Sequence, residues 1–236
     1  MPWPPGFPNP SLADEAALLP LLLRGPRGGW KAAEPPQAKD LPAARLEAIG
    51  AACAARGVRL SQALSLRASL LHSAHPSLFG GALLRASSAG AARFEDVVGA
   101  YLRQHGAQFL TQEDQTRVWR EGAVAAGEKG PAHPPATPDF LFPTGLAVEG
   151  AVIHWMEVKR FYGAGSTDSL QKWHWLLKLH AQVEKYCRAF GPHGAILFSD
   201  GCSARTRGLL PPTVLALDGG PLEAALKEAD RRAGAE

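Results

Sequence analysis

The nine-residue run "AVIHWMEVK" at 151–159 constrains this chain more than any other stretch. β-Branched and aromatic residues dominate it, which predicts an extended strand. Side chains alternate faces along a strand. Ile153, Trp155, Glu157 and Lys159 should therefore share one side, and Val152, His154, Met156 and Val158 the other. A strand apolar on both sides belongs in the middle of a sheet covered above and below. A carboxylate and an ammonium at its end are costly to bury unless they are paired or bind something.

The surrounding pattern supplies the rest of a core. "RFEDVVGAYLRQHG" (93–106) reads as an amphipathic helix stopped by Gly106. "AQFLT" reads as a short strand, "DFLF" as a strand and "LAVEG" as a strand end or turn. "DSLQKWHWLLKLHAQVEKYCRAFG" is a long helix, capped by Asp168 and closed by Gly191. On that helix Trp175 and Leu179 form one stripe, and Trp173, Leu176, His180, Val183, Cys187 and Phe190 a core face beside it. "GAILFSD" is a buried strand and "PLEAALKEADRRAG" a terminal surface helix. Residues 112–136 are polar with little periodicity and read as a loop. The resulting order predicts an α/β fold with a mixed central sheet flanked by helices.

The front of the chain is different. Residues 1–43 are punctuated by Pro and Gly and leave room for one short helix around 11–24. "LPAARLEAIGAACAARG" reads as a helix closed by Gly57. "LSQALSLRASLLHS" reads as another with Ser61 as N-cap, and a third short helix falls near 76–86. With Arg56, Arg59, Arg67 and Arg85, this unit is either a plain helical domain or a helix-turn-helix module that sits on DNA. "SSAGAA" at 87–92 marks the expected boundary, dividing the chain into a helical domain (1–92) and an α/β domain (93–236).

Charge is consistent with a nucleic-acid partner without requiring one. The net charge is +3, but residues 1–94 carry 10 Lys and Arg against 5 Asp and Glu, leaving the remainder slightly acidic. Three cysteines without a C-x-x-C pair predict neither a zinc site nor a disulfide framework. They fit a reducing compartment, the nucleus or cytoplasm. The longest apolar run, "AALLPLLL", is too short to span a bilayer and is broken by Pro20, so neither membrane insertion nor a secretory signal is expected.

Asp139 opens "DFLF" directly after Pro138. If that strand lies beside 151–159, Asp139, Glu157 and Lys159 meet at one edge of the sheet. Two close carboxylates repel each other, and a divalent cation relieves the repulsion. Hard oxygen ligands suit Mg²⁺ or Mn²⁺ better than zinc.

Pro-Asp followed by Glu-x-Lys at strand spacing resembles the PD-(D/E)xK nuclease superfamily. The resemblance implies a restriction-endonuclease-like mixed sheet and metal-dependent cleavage of phosphodiester bonds. It also implies roles: Asp139, Glu157, Glu95 and the Val158 carbonyl as metal ligands, and Lys159 as the group that orients water or meets developing charge. Gln182 and Tyr186 form a Q-x-x-x-Y resembling the RecB-like branch, one helical turn apart on one face. The blocks "FLTQEDQ", "TPDF", "VEGAVIHWMEVK", "HAQVEKY" and "RAFGP" together resemble the TPD-motif family of codanin-interacting nucleases. That resemblance implies nucleic acid and a codanin-like protein as partners, in nucleus and cytoplasm. The loop at 115–136 and the stretch "RFYGAGSTDSLQKW" depart from the family pattern, so substrate choice does not carry over.

Each residue also has an ordinary explanation. Glu95 sits in the first turn of its expected helix, where an acid suits the dipole. Asp139 follows a proline, a common turn pairing. Glu157 and Lys159 suit an edge ion pair, and Gln182 and Tyr186 a helix flank. His154 and His180 read as hydrogen-bonded core residues. The site reading rests on the residues recurring together in the order a nuclease needs. Three functions stay open: a metal-dependent nuclease, a nuclease fold used as a binding partner, and a DNA-binding protein led by the front helices.

Overall fold

The computed structural model describes residues 1, 3, 4, 6, 10–23, 41–74, 81–125, 134–163 and 174–233. Three helices come first: α1 (Leu12–Leu23), α2 (Ala43–Ala54) and α3 (Leu60–Ala74). α4 (Gly81–Gln104), β1 (Leu110–Thr111) and α5 (Gln112–Ala125) lead into a hairpin of β2 (Phe140–Val148) and β3 (Ala151–Lys159). α6 (His174–Phe190), β4 (Gly194–Phe198), α7 (Ala204–Leu209), β5 (Val214–Asp218) and α8 (Gly220–Ala233) complete the chain.

The strands form one mixed sheet in the order β1-β2-β3-β4-β5, antiparallel from β1 to β3 and parallel from β3 to β5. β3 is central, as its two apolar faces require. One face packs Phe94, Val98 and Leu102 of α4 against Phe140, Phe142, Met156, Val158 and Leu197. The other packs Leu176, Leu179, Val183 and Tyr186 of α6 against Trp155, Ile196 and Phe198. The chain is α/β, a five-stranded mixed sheet flanked by helices.

Several local expectations are corrected. Ile153 does not share the Trp155 face; it joins Met156 and Val158 on the α4 side. The cause is a break in the β2–β3 register, where pairing jumps from Leu141↔Trp155 to Leu146↔Ile153. "LAVEG" is a strand end and turn as expected, but it continues the "DFLF" strand without a break: β2 runs from Phe140 to Val148, and Glu149 (φ 48°) with Gly150 (φ 82°) makes the tight turn into β3. The short run "VLALD" is a fully fledged strand, β5, which the sequence reading passed over.

Two helices extend where breaks were expected. α4 runs unbroken through "SSAGAA", so that stretch is helix. Its Gly90 allows the Arg160 guanidinium to lie against the helix, since a Cβ there would fall 1.7 Å from Arg160 Nη1. Arg160 is in turn held by Glu223 of α8 at 3.0 Å. α5 occupies the first half of the expected 112–136 loop. A capping box starts it: Thr111 and Asp114 exchange side-chain to backbone hydrogen bonds in both directions.

The front helices bury their own cluster of Leu18, Leu22, Ile49, Cys53 and Leu66, and Tyr162 from just beyond β3 plugs into it. Tyr162 donates its hydroxyl to Glu15 of α1 at 2.5 Å, and its backbone N–H donates to Ser65 Oγ of α3 at 2.8 Å. α3 begins at Leu60, so Ser61 lies inside it; Gln62 accepts from the Arg59 N–H instead. Three of the four arginines that a helix-turn-helix reading would turn toward DNA are engaged within the chain. Arg67 is buried and donates to Leu22 O, Arg59 donates to Asp200 O, and Arg56 donates to Ala52 O. The Asp168 cap and Trp173 lie outside the described residues, as do the side chains of Arg85 and Trp175. No helix among the described residues is long and apolar enough to cross a membrane.

Candidate active site

The carboxyl end of β3 carries the chemistry. Alternation turns Glu157 to the α6 side, next to Trp155 in register, and leaves it buried. Lys159 follows on the same side, and its Nζ meets Glu157 Oε1 at 2.5 Å. α6 supplies two more donors. Gln182 Nε2 reaches Glu157 Oε1 at 2.8 Å, and the Tyr186 hydroxyl reaches Oε2 at 2.8 Å. Gln182 and Tyr186 also bond each other at 2.7 Å, as their one-turn spacing allows. Tyr186 is buried together with Leu179, so the flank and core face of α6 expected from the sequence merge into one surface.

β2 starts opposite Met156, one residue after Asp139. Asp139 thus lies beside the last turn of the ladder, and its Oδ2 accepts the Val158 N–H at 2.7 Å. Along a strand the N–H and C=O of one residue point the same way, so the Val158 carbonyl also faces the Asp139 side. The second Asp139 oxygen accepts from Gln112 Nε2 of α5 at 2.7 Å. Gln115, one turn on, is buried and ties Nε2 to Pro138 O at 2.8 Å.

Electrostatics follow from this crowding. Asp139 is pushed up to about 8, first by burial and then by the charge of Glu157, against the pull of the Val158 N–H. Glu95 is raised by burial and by Glu157. It projects from the middle of α4, whose first turn begins at Gly81, so the helix-dipole explanation for an acid here does not hold. Burial and the neighbouring Glu157 also raise Tyr186, keeping its hydroxyl a donor.

The structure therefore joins Asp139, Glu157, Lys159, Gln182, Tyr186 and the Val158 backbone in one hydrogen-bonded patch, with Glu95 within electrostatic reach. Among the described residues, no group of three or more His, Cys, Asp or Glu side chains is gathered closely enough to hold a metal ion. The donor chemistry nevertheless fits a hard cation: carboxylate oxygens held near one another, one of them reluctant to ionise until positive charge arrives. His154 and His180 are half-buried and stand outside this patch.

Gln112 and Gln115 are the site residues that sequence reasoning missed. Their signal was present in "TQED", a capping-box string that announces a helix and places both amides on its first turns.

The sequence model of a family described as protein of unknown function, TPD sequence-motif, matches residues 80–210. The chain belongs to the TPD sequence-motif family. The match spans more than half of the chain and takes in every residue of the patch, from Glu95 to Tyr186. The TPD string is Thr137-Pro138-Asp139. No curated protein and no solved structure matches the chain. In this TPD-family chain the string does three things: Thr137 O accepts from Gln112 and Tyr186, Pro138 O accepts from Gln115, and Asp139 presents the carboxylate.

Proposed function

We propose that this chain is a divalent-metal-dependent phosphodiesterase that cuts nucleic acid, a PD-(D/E)xK-type nuclease on a restriction-endonuclease-like sheet. One observation carries the reading: Asp139 lies beside the Glu157–Lys159 pair, with its carboxyl pushed up to about 8 by burial and by Glu157. Asp139, Glu157 and the Val158 carbonyl would hold Mg²⁺ or Mn²⁺, with Glu95 as an outer acid. Bound there, the ion supplies polarisation of the scissile phosphate and a more acidic water. Lys159 orients that water or meets the charge growing on the phosphoryl oxygens. Gln182 and Tyr186 hold Glu157 in place from α6. A codanin-like partner and residence in nucleus and cytoplasm belong to the same reading through the family resemblance.

A second reading is a nuclease fold used as a binding partner with weak or no cutting. It is favoured by the way Lys159, Gln182 and Tyr186 already engage both Glu157 oxygens. The two readings separate in one assay. Single- and double-stranded DNA and RNA are incubated with Mg²⁺ and either the native chain, Asp139→Asn or Lys159→Met. The nuclease reading expects cleavage by the native chain alone. Equal cleavage by Asp139→Asn removes the site, and no cleavage by any chain, with retained capture of a codanin-like protein, supports the binding role.

A further inference from the structure

α5 is a polar helix with a single buried side chain facing the sheet among those described, Gln115. Its first turn is nevertheless fixed, because Thr111 and Asp114 cap it reciprocally. That turn aims two amides at the TPD string. Gln115 Nε2 takes Pro138 O at 2.8 Å and Leu110 O at 3.1 Å, which ties the string to β1. Gln112 Nε2 does something else. Its short bond is to Asp139 Oδ1 at 2.7 Å, and its longer one is to Thr137 O at 3.3 Å.

Asp139 thus has one donor on each oxygen, the Val158 N–H on Oδ2 and the Gln112 amide on Oδ1. The first is part of the strand and cannot move independently. The second decides the rotation of the carboxylate about its own axis. Each oxygen keeps further lone pairs, so it can accept this bond and still ligate.

We infer that Gln112 is a positioning residue for Asp139, fixing the plane in which that carboxylate meets a divalent cation. The inference rests on the metal-dependent reading above. Groups that orient a ligand in this way typically change metal affinity by about 10–100-fold when removed. Gln115, which is buried, ties the string to β1, while Gln112, which is exposed, makes its shorter bond to the carboxylate and its longer one to the Thr137 carbonyl.

The test uses the full chain and Mn²⁺ alone, with free Mn²⁺ read from its electron paramagnetic resonance signal. Gln112→Met keeps the side-chain length and removes the donor. The expected result is Mn²⁺ binding weakened about 10-fold or more, with the metal-free melting temperature unchanged. Unchanged affinity would overturn the inference, and so would a lowered melting temperature that accounts for the loss. The two ideas fail differently. If the native chain binds Mn²⁺ and Asp139→Asn does not, the metal site stands whatever Gln112→Met does. If the native chain binds none, both fall.

Discussion

The Tyr186 hydroxyl of α6 donates to Glu157 Oε2 of β3 at 2.8 Å, in the buried layer between helix and sheet. This bond joins the two elements that build one wall of the patch. It also explains why a tyrosine stands where a phenylalanine would pack as well. Tyr186→Phe should cost about 1–3 kcal/mol, because it leaves a buried carboxylate oxygen short of a donor. Denaturant unfolding at constant pH measures it. A loss no larger than that of an exposed control would mean water replaces the hydroxyl, and that the bond does not hold Glu157.

Asp139 makes stability depend on pH. Its folded carboxyl is raised from 3.8 to about 8, so the native state holds this proton more tightly than the unfolded chain. The contribution is present below about pH 4 and is lost as pH rises to about 8. Metal-free chain should therefore weaken across that window, and Asp139→Asn should flatten the slope. On the metal-dependent reading proposed above, saturating Mn²⁺ should restore stability at the upper end, since it favours the ionised form. Denaturant midpoints collected at several pH values decide the matter; a slope equal in native and Asp139→Asn chains would count against a buried, crowded carboxyl.

Gly194 opens β4 directly beside Trp155 of β3. A Cβ at this position would come within 2.1–2.3 Å of the indole ring. The ring is fully buried and its Nε1 is tied to Gly191 O at 3.0 Å, so it cannot swing aside. Gly194→Ala should cost about 1–3 kcal/mol or more through overpacking. Thermal melting measures it; since Trp155 precedes Glu157 on the same face, the nuclease reading proposed above adds that cleavage is lost along with the lowered melting temperature.

Tyr162 links the front helices to the sheet through its bond to Glu15. Burial and the Glu15 charge raise its phenol, so it remains a donor at neutral pH. Tyr162→Phe takes one partner from a carboxylate that is 1% exposed. The expected cost is about 1–3 kcal/mol, concentrated in α1. Limited proteolysis should then cut within the front helices before the sheet domain; simultaneous cutting would show that α1 is held mainly by its leucines.

Much of the fold was legible because burial writes itself into residue patterns. The two-sided apolar run of β3, the stripe of α4 from Phe94 to Leu102 and the five buried residues of β4 all announce themselves. α5 did not, because Val118 and Trp119 are exposed and the one buried side chain among those described is a glutamine. β5 did not, because four apolar residues in a row show no period that separates strand from helix. The length of α4 was hidden by a run of small residues, among which Gly90 makes room for Arg160, a residue distant in sequence.

For the site, the sequence by itself determined which chemical groups are available: Asp139 before one strand, Glu157 and Lys159 on one face of another, and Gln182 and Tyr186 one turn apart. Those follow from local periodicity, which the chain carries in its order of residues. Only the tertiary structure decided that α6 lies over β3, so that Gln182 and Tyr186 reach Glu157, and that α5 turns Gln112 onto Asp139. It also decided that Arg59 and Arg67 face inward. Each of these depends on how separate elements pack, and packing is set by contacts between residues far apart in the chain.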